Sequence, residues 1–361
     1  MASADQLDAD VVRRLGRIAF APVNEAIDRT PDNRRFGFYA KTRGLDFQIA
    51  RHGGDYDTVV LGESADLPYW TRRRGPRVIF DMPNPQLLDT RLSVEMGRGT
   101  SKYLRRQWTV FQPSWRRAVT GIIERADAVV VCSPEIRDTL LGLNANIHVI
   151  LDAHFDLPLV PRSTPDPAAP PTILWEGKVR SLGAFDVLAD QLRTVSAATG
   201  ARYVFVTDRS EPRLLGRFGS IDTEAELRRH VPGARVIAWT PQALARELST
   251  ASVGIIPVDV RSSIHRAKPE NRLLLMWRAG LPTVTSGTPA YVRTMRAAGL
   301  HDYCPTPQDW AGTLMTILND PDRLRRNAEL GGALVHRDHG LEQWLAAWDT
   351  VLTSVVARPA P

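Results

Sequence analysis

Residues 268–286 read KPENRLLLMWRAGLPTVTS, a charged polar turn followed by an apolar block and a short β-branched run. The block predicts a helix that begins near Pro269, because a proline in the first helical turn loses no hydrogen bond. Gly280 and Pro282 predict its end, since glycine enters the left-handed region readily and proline prevents continuation. The stretch therefore predicts a helix that leads into a buried strand.

The same alternation runs along the chain on both sides of a proline-rich segment, FDLPLVPRSTPDPAAPPT (155–172), which predicts an extended linker. Short apolar runs predict buried parallel strands at 17–22, 57–62, 77–82, 128–133, 147–152, 172–177, 202–208, 234–239, 253–258 and 282–286. Amphipathic stretches predict further helices near 113–125, 183–197, 223–230, 241–249, 288–298, 320–335 and 340–356. This order indicates an α/β fold with two doubly wound domains.

Composition limits the function classes. The chain has 361 residues, 43% of them hydrophobic, and a formal net charge of +6, which favours an anionic partner. No apolar run approaches the ~20 residues of a membrane span, and the polar N-terminus MASADQLDADVVRR predicts no signal peptide. We therefore expect a cytoplasmic protein, in which Cys132 and Cys304 are buried thiols.

Basic residues surround the predicted start of the opening helix. Residues 259–267, DVRSSIHRA, leave the carboxyl end of a predicted parallel strand and lead into that helix. Ligands of open α/β sheets bind at this edge, and a helix N-terminus attracts anions. The cations and polar groups here are Arg261, His265, Arg266, Lys268, Asn271 and Arg272. They predict a phosphate site, and the alternative is a solvated basic loop.

A second basic turn follows the first strand of the second half. In WEGKVRSLG (175–183), Gly177 allows a close turn, and Lys178 and Arg180 project from it. An exposed β-turn is the alternative interpretation. However, Lys178 and Lys268 are two of only four lysines in the chain, and both lie in loops at strand ends of one predicted sheet. A diphosphate would sit between them.

Several stretches resemble the GT-B glycosyltransferases, and in particular the family 4-like retaining members. The matches in the second half are ILWEGKVRSLGAFDVL (173–188), VIAWTPQALARELSTASVGIIPV (236–258) and the opening stretch. A further match, ADAVVVCSPEIRDTL (126–140), is similar to the end of the family's acceptor domain, and LEQWLAAWDTVL (341–352) is similar to its crossover helix. The resemblance covers most of the chain and depends on the order and spacing of these stretches.

The resemblance implies two facing Rossmann-like domains with a C-terminal helix that crosses back to the N-terminal domain. The implied segments are an acceptor-binding domain (1–156), the linker (157–171), a donor-binding domain (172–338), and the crossover helix and tail (339–361). The implied co-substrate is a nucleoside-diphosphate sugar, with no other cofactor and no metal. The implied donor-binding residues are Gly177, Lys178, Arg180, Trp239, His265, Arg266, Lys268, Glu270, Asn271 and Arg272.

Many retaining members carry two glutamates with seven residues between them, and the second glutamate binds the nucleotide ribose. The corresponding positions here are Ala267 and Leu275, neither of which can accept a hydrogen bond through its side chain. Glu270 and Asn271 are the nearest substitutes. Both stereochemical outcomes, retention and inversion, therefore stay open.

On the acceptor side, Asp81 and Asn84 end a predicted strand of the first domain, in RVIFDMPNPQ (77–86). If the enzyme inverts configuration it needs a general base, and Asp81 is our first candidate; Lys178 and Lys268 would neutralise the leaving diphosphate. A turn is the alternative for the Asp-x-Pro-Asn-Pro sequence. Further acceptor candidates are Asn24, Glu25 and His154, the last of which could equally be a structural histidine.

The segment RGTSKYLRRQWTVFQPSWRR (98–117) interleaves basic residues with Tyr103, Trp108, Phe111 and Trp115. It could be a nucleic-acid stacking surface, a patch that contacts a membrane surface, or a helix with a buried aromatic face and solvated arginines. We favour the third interpretation. If the segment binds something, peripheral contact with anionic lipid near a lipid-linked acceptor fits better than nucleic acid, for which we expect no role.

The sequence thus predicts a metal-independent glycosyltransferase of polysaccharide or glycoconjugate biosynthesis. It would move a sugar from a nucleotide sugar to a glycan, lipid-linked or natural-product acceptor. The first strand carries no GxGxxG, which argues against a dinucleotide oxidoreductase. Asp55-Tyr56-Asp57 precedes a strand instead of following one, so it indicates a turn and no metal site. The alternatives are a non-catalytic GT-B-like partner subunit and a nucleotide-sugar epimerase.

Overall fold

The structure is a computed structural model that describes residues 7–22, 31–88, 92–163, 169–212, 220–231 and 233–357. The chain divides into two compact units. Unit 1 comprises Met1–Phe155, Ala267–Pro269 and Leu341–Pro361, and unit 2 comprises Asp156–Arg266 and Glu270–Gly340.

Unit 1 contains a parallel sheet whose described strands run in the order β2-β1-β3-β4-β5-β6. The strands are β1 (Ile18–Ala21), β2 (Gln48–Ile49), β3 (Thr58–Leu61), β4 (Arg77–Met82), β5 (Ala128–Val131) and β6 (Ile147–Val149). The five strands predicted in this half are confirmed. The two-residue β2 was not predicted, because it is too short to show an apolar pattern.

Six helices precede or connect the described strands of unit 1, and two 3₁₀ turns lie at Pro31–Arg34 and Gln86–Leu88. The helices are α1 (Ala9–Leu15), α2 (Phe36–Arg43), α3 (Leu67–Arg72), α4 (Leu92–Leu104), α5 (Trp115–Arg125) and α6 (Pro134–Asp138). Apolar residues on both faces of the sheet are buried: Val60 and Ile79 belong to one core cluster, and Val59 and Phe80 belong to the other. Burial on both faces explains the near-continuous apolar runs in these strands.

Unit 2 contains a second parallel sheet, with the described strands in the order β11-β8-β7-β12-β13, and a separate antiparallel hairpin of β9 and β10. The strands are β7 (Thr172–Glu176), β8 (Arg202–Thr207), β9 (Ser210–Pro212), β10 (Ser220–Asp222), β11 (Arg235–Ala238), β12 (Val253–Ile256) and β13 (Thr283–Thr285). All five strands predicted for this half are confirmed, and only the short hairpin was missed.

The helices of unit 2 are α7 (Ala189–Thr199), α8 (Thr223–His230), α9 (Pro241–Thr250), α10 (Ser263–Arg266), α11 (Asn271–Arg278), α12 (Pro289–Ala297), α13 (Trp310–Leu318) and α14 (Pro321–Asp338). The last helix, α15 (Leu341–Ala357), groups with unit 1. A helix predicted from 183 begins instead at Ala189, because Val179–Phe185 form a 3₁₀ helix. The opening helix begins at Asn271, so the prediction that Pro269 lies in its first turn was wrong.

Helix α15 is part of the core of unit 1. Trp344 and Trp348 pack with Phe36 and Tyr39 of α2, and the indole nitrogen of Trp344 donates a hydrogen bond to the Leu151 carbonyl at 2.8 Å. The crossover helix that the resemblance implied is therefore present.

Within the described residues, no helix has the length and apolar content needed to cross a membrane.

A buried asparagine joins three elements of unit 2. Asn327 on α14 is 0% exposed, and its Oδ1 accepts hydrogen bonds from Trp277 Nε1 of α11 at 3.0 Å and from the Thr283 amide of β13 at 2.9 Å. Its Nδ2 donates to the Thr283 carbonyl at 3.2 Å. Gly331, one turn further along α14, leaves room for the Trp277 ring, since a Cβ there would lie 2.3 Å from Trp277 Cδ2. These contacts fix α11 against the sheet.

We predict that Asn327→Leu lowers the free energy of unfolding by about 2–4 kcal/mol, because two buried donors lose their acceptor. Urea denaturation with an unchanged m-value is the measurement. Asn319→Leu is the matched control, since Asn319 is exposed at the end of α13, and we expect it to change stability by less than about 0.5 kcal/mol. Equal stability of the two variants would contradict the proposed role of Asn327.

Candidate functional site

The strand order of unit 2 reverses direction between β7 and β12. From β7 the chain adds β8 and then β11 on one side, and it returns to the other side of β7 with β12 and β13. At such a switch point the two connecting segments leave in opposite directions, which opens a crevice outside the carboxyl ends of the two strands. The loop after β7 and the loop before α11 start at this point. The two basic segments selected from the sequence therefore leave neighbouring strands.

Arg272 connects these two segments directly. It lies in the first turn of α11, and its Nη1 donates a hydrogen bond to the Glu176 carbonyl at the end of β7, at 3.0 Å. The chain then turns at Gly177, where a Cβ would lie 2.9 Å from Arg272 Nη1 and 2.6 Å from Trp175 Cζ2. Only glycine fits without displacing one of these side chains. The guanidinium is thus held at the switch point by the backbone.

Lys178 is exposed at the start of the 3₁₀ helix Val179–Phe185. It makes no ion pair with any residue that the structure describes. The structure does not describe the side chain of Arg180, so its role in donor binding stays a prediction. A solvent-facing ammonium group two residues after the carbonyl that binds Arg272 is suited to an anionic ligand.

Glu270 is buried and engaged by α12. It is 2% exposed, and its carboxylate accepts hydrogen bonds from Arg293 Nη1 at 3.0 Å and Thr294 Oγ1 at 3.2 Å, both on α12. Its side chain does not cap α11, although it occupies the N-cap position. We therefore correct the prediction that Glu270 binds the donor: the carboxylate joins α11 to α12.

The loop between β12 and α11 contains the short helix α10. Arg261 is engaged by Asp259, with Nε and Oδ1 2.8 Å apart, and this contact lowers the pKa of Asp259. The backbone amide of His265 is bonded to Ser262 Oγ at 3.3 Å, and Arg266 is exposed at the end of α10. Ala267–Pro269 group with unit 1, so the position of Lys268 relative to Lys178 stays a prediction. Asn271 is the first residue of α11, and its role also stays a prediction.

Trp239 follows β11 at the same carboxyl edge and is half-buried. Its backbone amide bonds to the Thr207 carbonyl at 3.1 Å. β8 lies between β11 and β7, which separates Trp239 from the Gly177 turn by about 10 Å, two inter-strand spacings. The role of Trp239 in donor binding stays a prediction.

Two buried polar atoms near this edge were not found from the sequence. Thr207 Oγ1 at the end of β8 and Trp175 Nε1 on β7 are both buried without a hydrogen-bond partner in the described part of the chain. Buried polar groups nearly always have a partner, and an exception calls for an ordered water or a ligand. Both residues lie in apolar runs that are typical of core strands, so no local sequence signal marks them as possible ligand contacts.

The carboxyl edge of the unit 1 sheet contains a buried ion pair. Asp81, at the end of β4, is 4% exposed, and Arg35 is 3% exposed. Arg35 Nε lies 3.0 Å from Asp81 Oδ2, and Arg35 Nη2 donates to Oδ1. Arg35 Nη1 also bonds to the Ile150 carbonyl at 2.6 Å and to the Cys132 sulfur at 3.1 Å. A carboxylate held by a buried guanidinium is a poor proton acceptor, so we correct the assignment of Asp81 as a general base.

The other acceptor candidates have different placements. Asn84 is exposed, and its amide nitrogen Nδ2 donates to Glu63 Oε2 at 2.9 Å, with Glu63 Oε1 2.8 Å from its backbone amide. His154 is half-buried after β6. Asn24 and Glu25 lie outside the described residues. Asp55 and Asp57 both pair with Arg17 and lie in the irregular segment that precedes β3. The described residues contain no group of three or more His, Cys, Asp or Glu placed to hold a metal.

We predict that Asp81→Asn lowers the free energy of unfolding by about 3–5 kcal/mol, because it leaves the buried Arg35 without its counter-charge. Asp138→Asn is the matched control: its carboxylate pairs with Arg137 at the surface, 2.9 Å away, and its loss should cost less than about 1 kcal/mol. Denaturant unfolding of both variants is the measurement. Unchanged stability of Asp81→Asn, with turnover abolished, would restore Asp81 as a candidate base.

Comparison with known proteins finds no family model and no curated protein that matches this sequence. Solved structures do match its fold. TarM superposes with a TM-score of 0.58 at 9% identity, over 82% of this chain and 54% of TarM. A substituted S. aureus TarM in complex with fondaparinux, α-GlcNAc-glycerol and UDP gives 0.56 at 9%, over 82% and 55%. This chain thus spans about half the length of the TarM structures.

A substituted O-GlcNAc transferase of Thermobaculum terrenum gives a TM-score of 0.52 at 15% identity, over 98% of this chain and 70% of that protein. At these identities the likeness concerns the fold. Two units with parallel sheets, a C-terminal helix in the core of the first unit, and these structural matches together show that the chain has the GT-B glycosyltransferase fold.

Proposed function

We propose that this protein is a glycosyltransferase that moves a sugar from a nucleoside-diphosphate sugar to a glycan, lipid-linked or natural-product acceptor. The observation that carries the proposal is the switch point of unit 2, where the Arg272 guanidinium is bonded to the end of β7 beside Gly177 and the exposed Lys178. Two cations at the carboxyl edge of a doubly wound sheet suit a diphosphate. The matched TarM structure that holds UDP supports this choice of ligand.

The proposed placement of the nucleotide follows the sheet. The diphosphate would contact Lys178 and Arg272, and the nucleobase would extend along the strand ends toward Trp239. The spacing of about 10 Å between the two ends is compatible with one nucleotide. Thr207, whose buried hydroxyl lacks a partner in the described residues, lies between them on β8.

In the proposed reaction the chain's cations stabilise negative charge on the departing nucleoside diphosphate, which is where charge develops in the transition state. Lys178, Lys268 and Arg272 are the groups proposed for this role. No metal is proposed. Since Asp81 is engaged by Arg35, the acceptor proton would pass to a donor phosphate oxygen if the enzyme retains configuration; inversion would need a base other than Asp81.

A non-catalytic GT-B-like subunit is the second candidate, and one observation favours it. Leu275, at the position of the family's ribose-binding glutamate, is 4% exposed within the core of unit 2. Glu270, the nearest carboxylate, is bound to α12. A ribose contact would therefore have to come from elsewhere. Binding of a nucleotide sugar without transfer or hydrolysis would identify this second candidate.

We predict that Lys178→Ala weakens binding of UDP, GDP or ADP by about tenfold or more, while the affinity for the matching nucleoside changes by less than twofold. One charge-assisted hydrogen bond contributes about 1.5–3 kcal/mol, and about 1.4 kcal/mol corresponds to a tenfold change in affinity. A thermal-shift screen first identifies the nucleotide, because a ligand at ~100 times its Kd adds about 2.7 kcal/mol of apparent stability. Calorimetry then gives the affinities.

Lys41→Ala on the exposed surface of α2 is the matched control and should leave both affinities unchanged. If no nucleoside diphosphate stabilises the protein, the proposed function fails. If one binds but Lys178→Ala and Lys41→Ala bind it equally well, the phosphate site lies elsewhere in the chain.

A further inference from the structure

One segment of the chain carries a positive charge equal to the formal net charge of the whole protein. Residues 96–117 contain six lysines and arginines and no aspartate or glutamate. The whole chain has 46 basic and 40 acidic residues, so the rest has 40 of each and is neutral. The segment covers the end of α4, the connection that follows it and the start of α5, all within unit 1. We call it the basic segment.

The basic segment also exposes large apolar side chains. Leu104 is 75% exposed, Phe111 55%, Met96 44% and Tyr103 40%. The Tyr103 and Phe111 rings touch edge to face, with centroids 5.2 Å apart. Met96 and Tyr103 are seven residues apart on α4, so they lie on the same side of the helix. Apolar groups clustered in this way at a surface mark an interaction site more often than scattered ones do.

A stacked, buried pair of tryptophans lies in the same segment, and we call it the aromatic base. Trp108 and Trp115 stack with centroids 5.7 Å apart, and both are buried. Trp108 Nε1 donates to the Ala65 carbonyl at 3.1 Å, and the backbone amide and hydroxyl of Thr109 each bond to the buried Asp66 at 2.7 Å. The expected buried aromatic face is therefore confirmed for the two tryptophans and wrong for Tyr103 and Phe111.

Two cations lie over this base. The Arg98 guanidinium is 4.8 Å from the Trp115 ring, and Lys102 Nζ is 5.8 Å from Trp108 and 5.6 Å from Trp115. Burial lowers the pKa of Lys102. Arg105, Arg106 and Arg117 are exposed, and none of them forms an ion pair with a described residue. The segment thus presents uncompensated positive charge beside its apolar groups.

Arg106 occupies a backbone conformation that favours glycine. Its φ is 59°, and among the described residues other than glycine it is the one with positive φ. The Gln107 amide bonds to the Lys102 carbonyl at 2.9 Å, which closes the end of α4 around Arg106. Glycine is the usual residue at this position of a helix end. An arginine here therefore supplies charge at the expense of backbone stability.

We propose that the basic segment docks the protein on the surface of a bilayer that contains anionic lipid. Exposed aliphatic and aromatic side chains enter the headgroup region, and the arginines around them bind lipid phosphates. A single-stranded nucleic acid would need free ring faces on which bases stack. Trp108 and Trp115 are buried, the exposed Tyr103 and Phe111 rings pack against each other edge to face, and the most exposed apolar side chain of the segment is the aliphatic Leu104. This inference does not depend on the proposed function, because binding to vesicles requires no nucleotide.

The test is co-sedimentation of the full chain with vesicles of phosphatidylcholine alone or with about 30% phosphatidylglycerol. We expect binding to the anionic vesicles at low salt, weaker binding as salt screens the charges, and little binding to phosphatidylcholine alone. Arg105→Gln/Arg117→Gln should weaken the partition by at least tenfold, since each basic residue near an anionic surface contributes about fivefold. Arg228→Gln/Arg229→Gln, which removes the same charge from exposed α8, is the control and should bind normally.

Two further variants separate the apolar and backbone contributions. Leu104→Ser should weaken binding several-fold, while Leu141→Ser, which removes another exposed leucine of unit 1 (61% exposed), should not. Arg106→Gly should weaken binding about fivefold with an equal or higher Tm, so a loss of binding cannot be attributed to unfolding.

Three outcomes would overturn the proposal. The first is absence of binding to anionic vesicles at low salt. The second is equal binding by the segment variants and their controls, which would make the attraction a non-specific effect of net charge. The third is that the protein binds a single-stranded oligonucleotide and does not bind vesicles, and that the same variants abolish oligonucleotide binding. This result would assign the basic segment to nucleic acid.

Discussion

The reversal of strand order between β7 and β12 is the constraint on which the candidate site depends. Parallel strands require crossover connections, and right-handed crossovers place successive strands on one side of β7 until the chain returns to the other side. At that point the loops after two adjacent strands diverge. Gly177 and Arg272 occupy this position, and the bond from Arg272 to the Glu176 carbonyl joins the two loops. The polar groups of the site are thus positioned by topology before any ligand binds.

Acidic residues near the sheet edges are neutralised within each unit, and this determines which charges are left for a ligand. Glu270 is paired with Arg293 on α12, Asp259 with Arg261, and Asp81 with Arg35. Lys178 has no such partner in the described residues and faces solvent. Since buried charges are stable only when paired, the carboxylates of Glu270 and Asp81 serve the fold, and the exposed Lys178 is available to a ligand.

The same distinction between paired and unpaired charge separates the basic segment from the rest of the surface. On α8, Arg228 pairs with Glu224 and Arg229 with Glu226. In the basic segment, arginines without described partners adjoin exposed leucine and phenylalanine side chains. A surface of this kind has both components of affinity for an anionic bilayer, a long-range attraction and an apolar area that can be buried.

The sequence by itself determined the alternation of strands and helices, because a buried parallel strand and an amphipathic helix each leave a local apolar pattern. It also located the strand-exit glycine and lysine, Gly177 and Lys178, since each signal lies within a few residues. Only the tertiary structure decided the partners of the charged groups. Arg35 and Asp81 are 46 positions apart, and Glu270 and Arg293 are 23 apart.

The same limit explains the errors. Pro269 lies outside α11, whose N-cap residue Glu270 is held by α12, and Phe111 is exposed while Trp108 and Trp115 are buried. Whether a side chain is buried, paired or exposed is set by groups that are distant in sequence and are brought together by packing. The local periodicity of a sequence does not depend on those distant groups. The sequence therefore determined the elements and their order, and the packed structure decided which side chains are left to act.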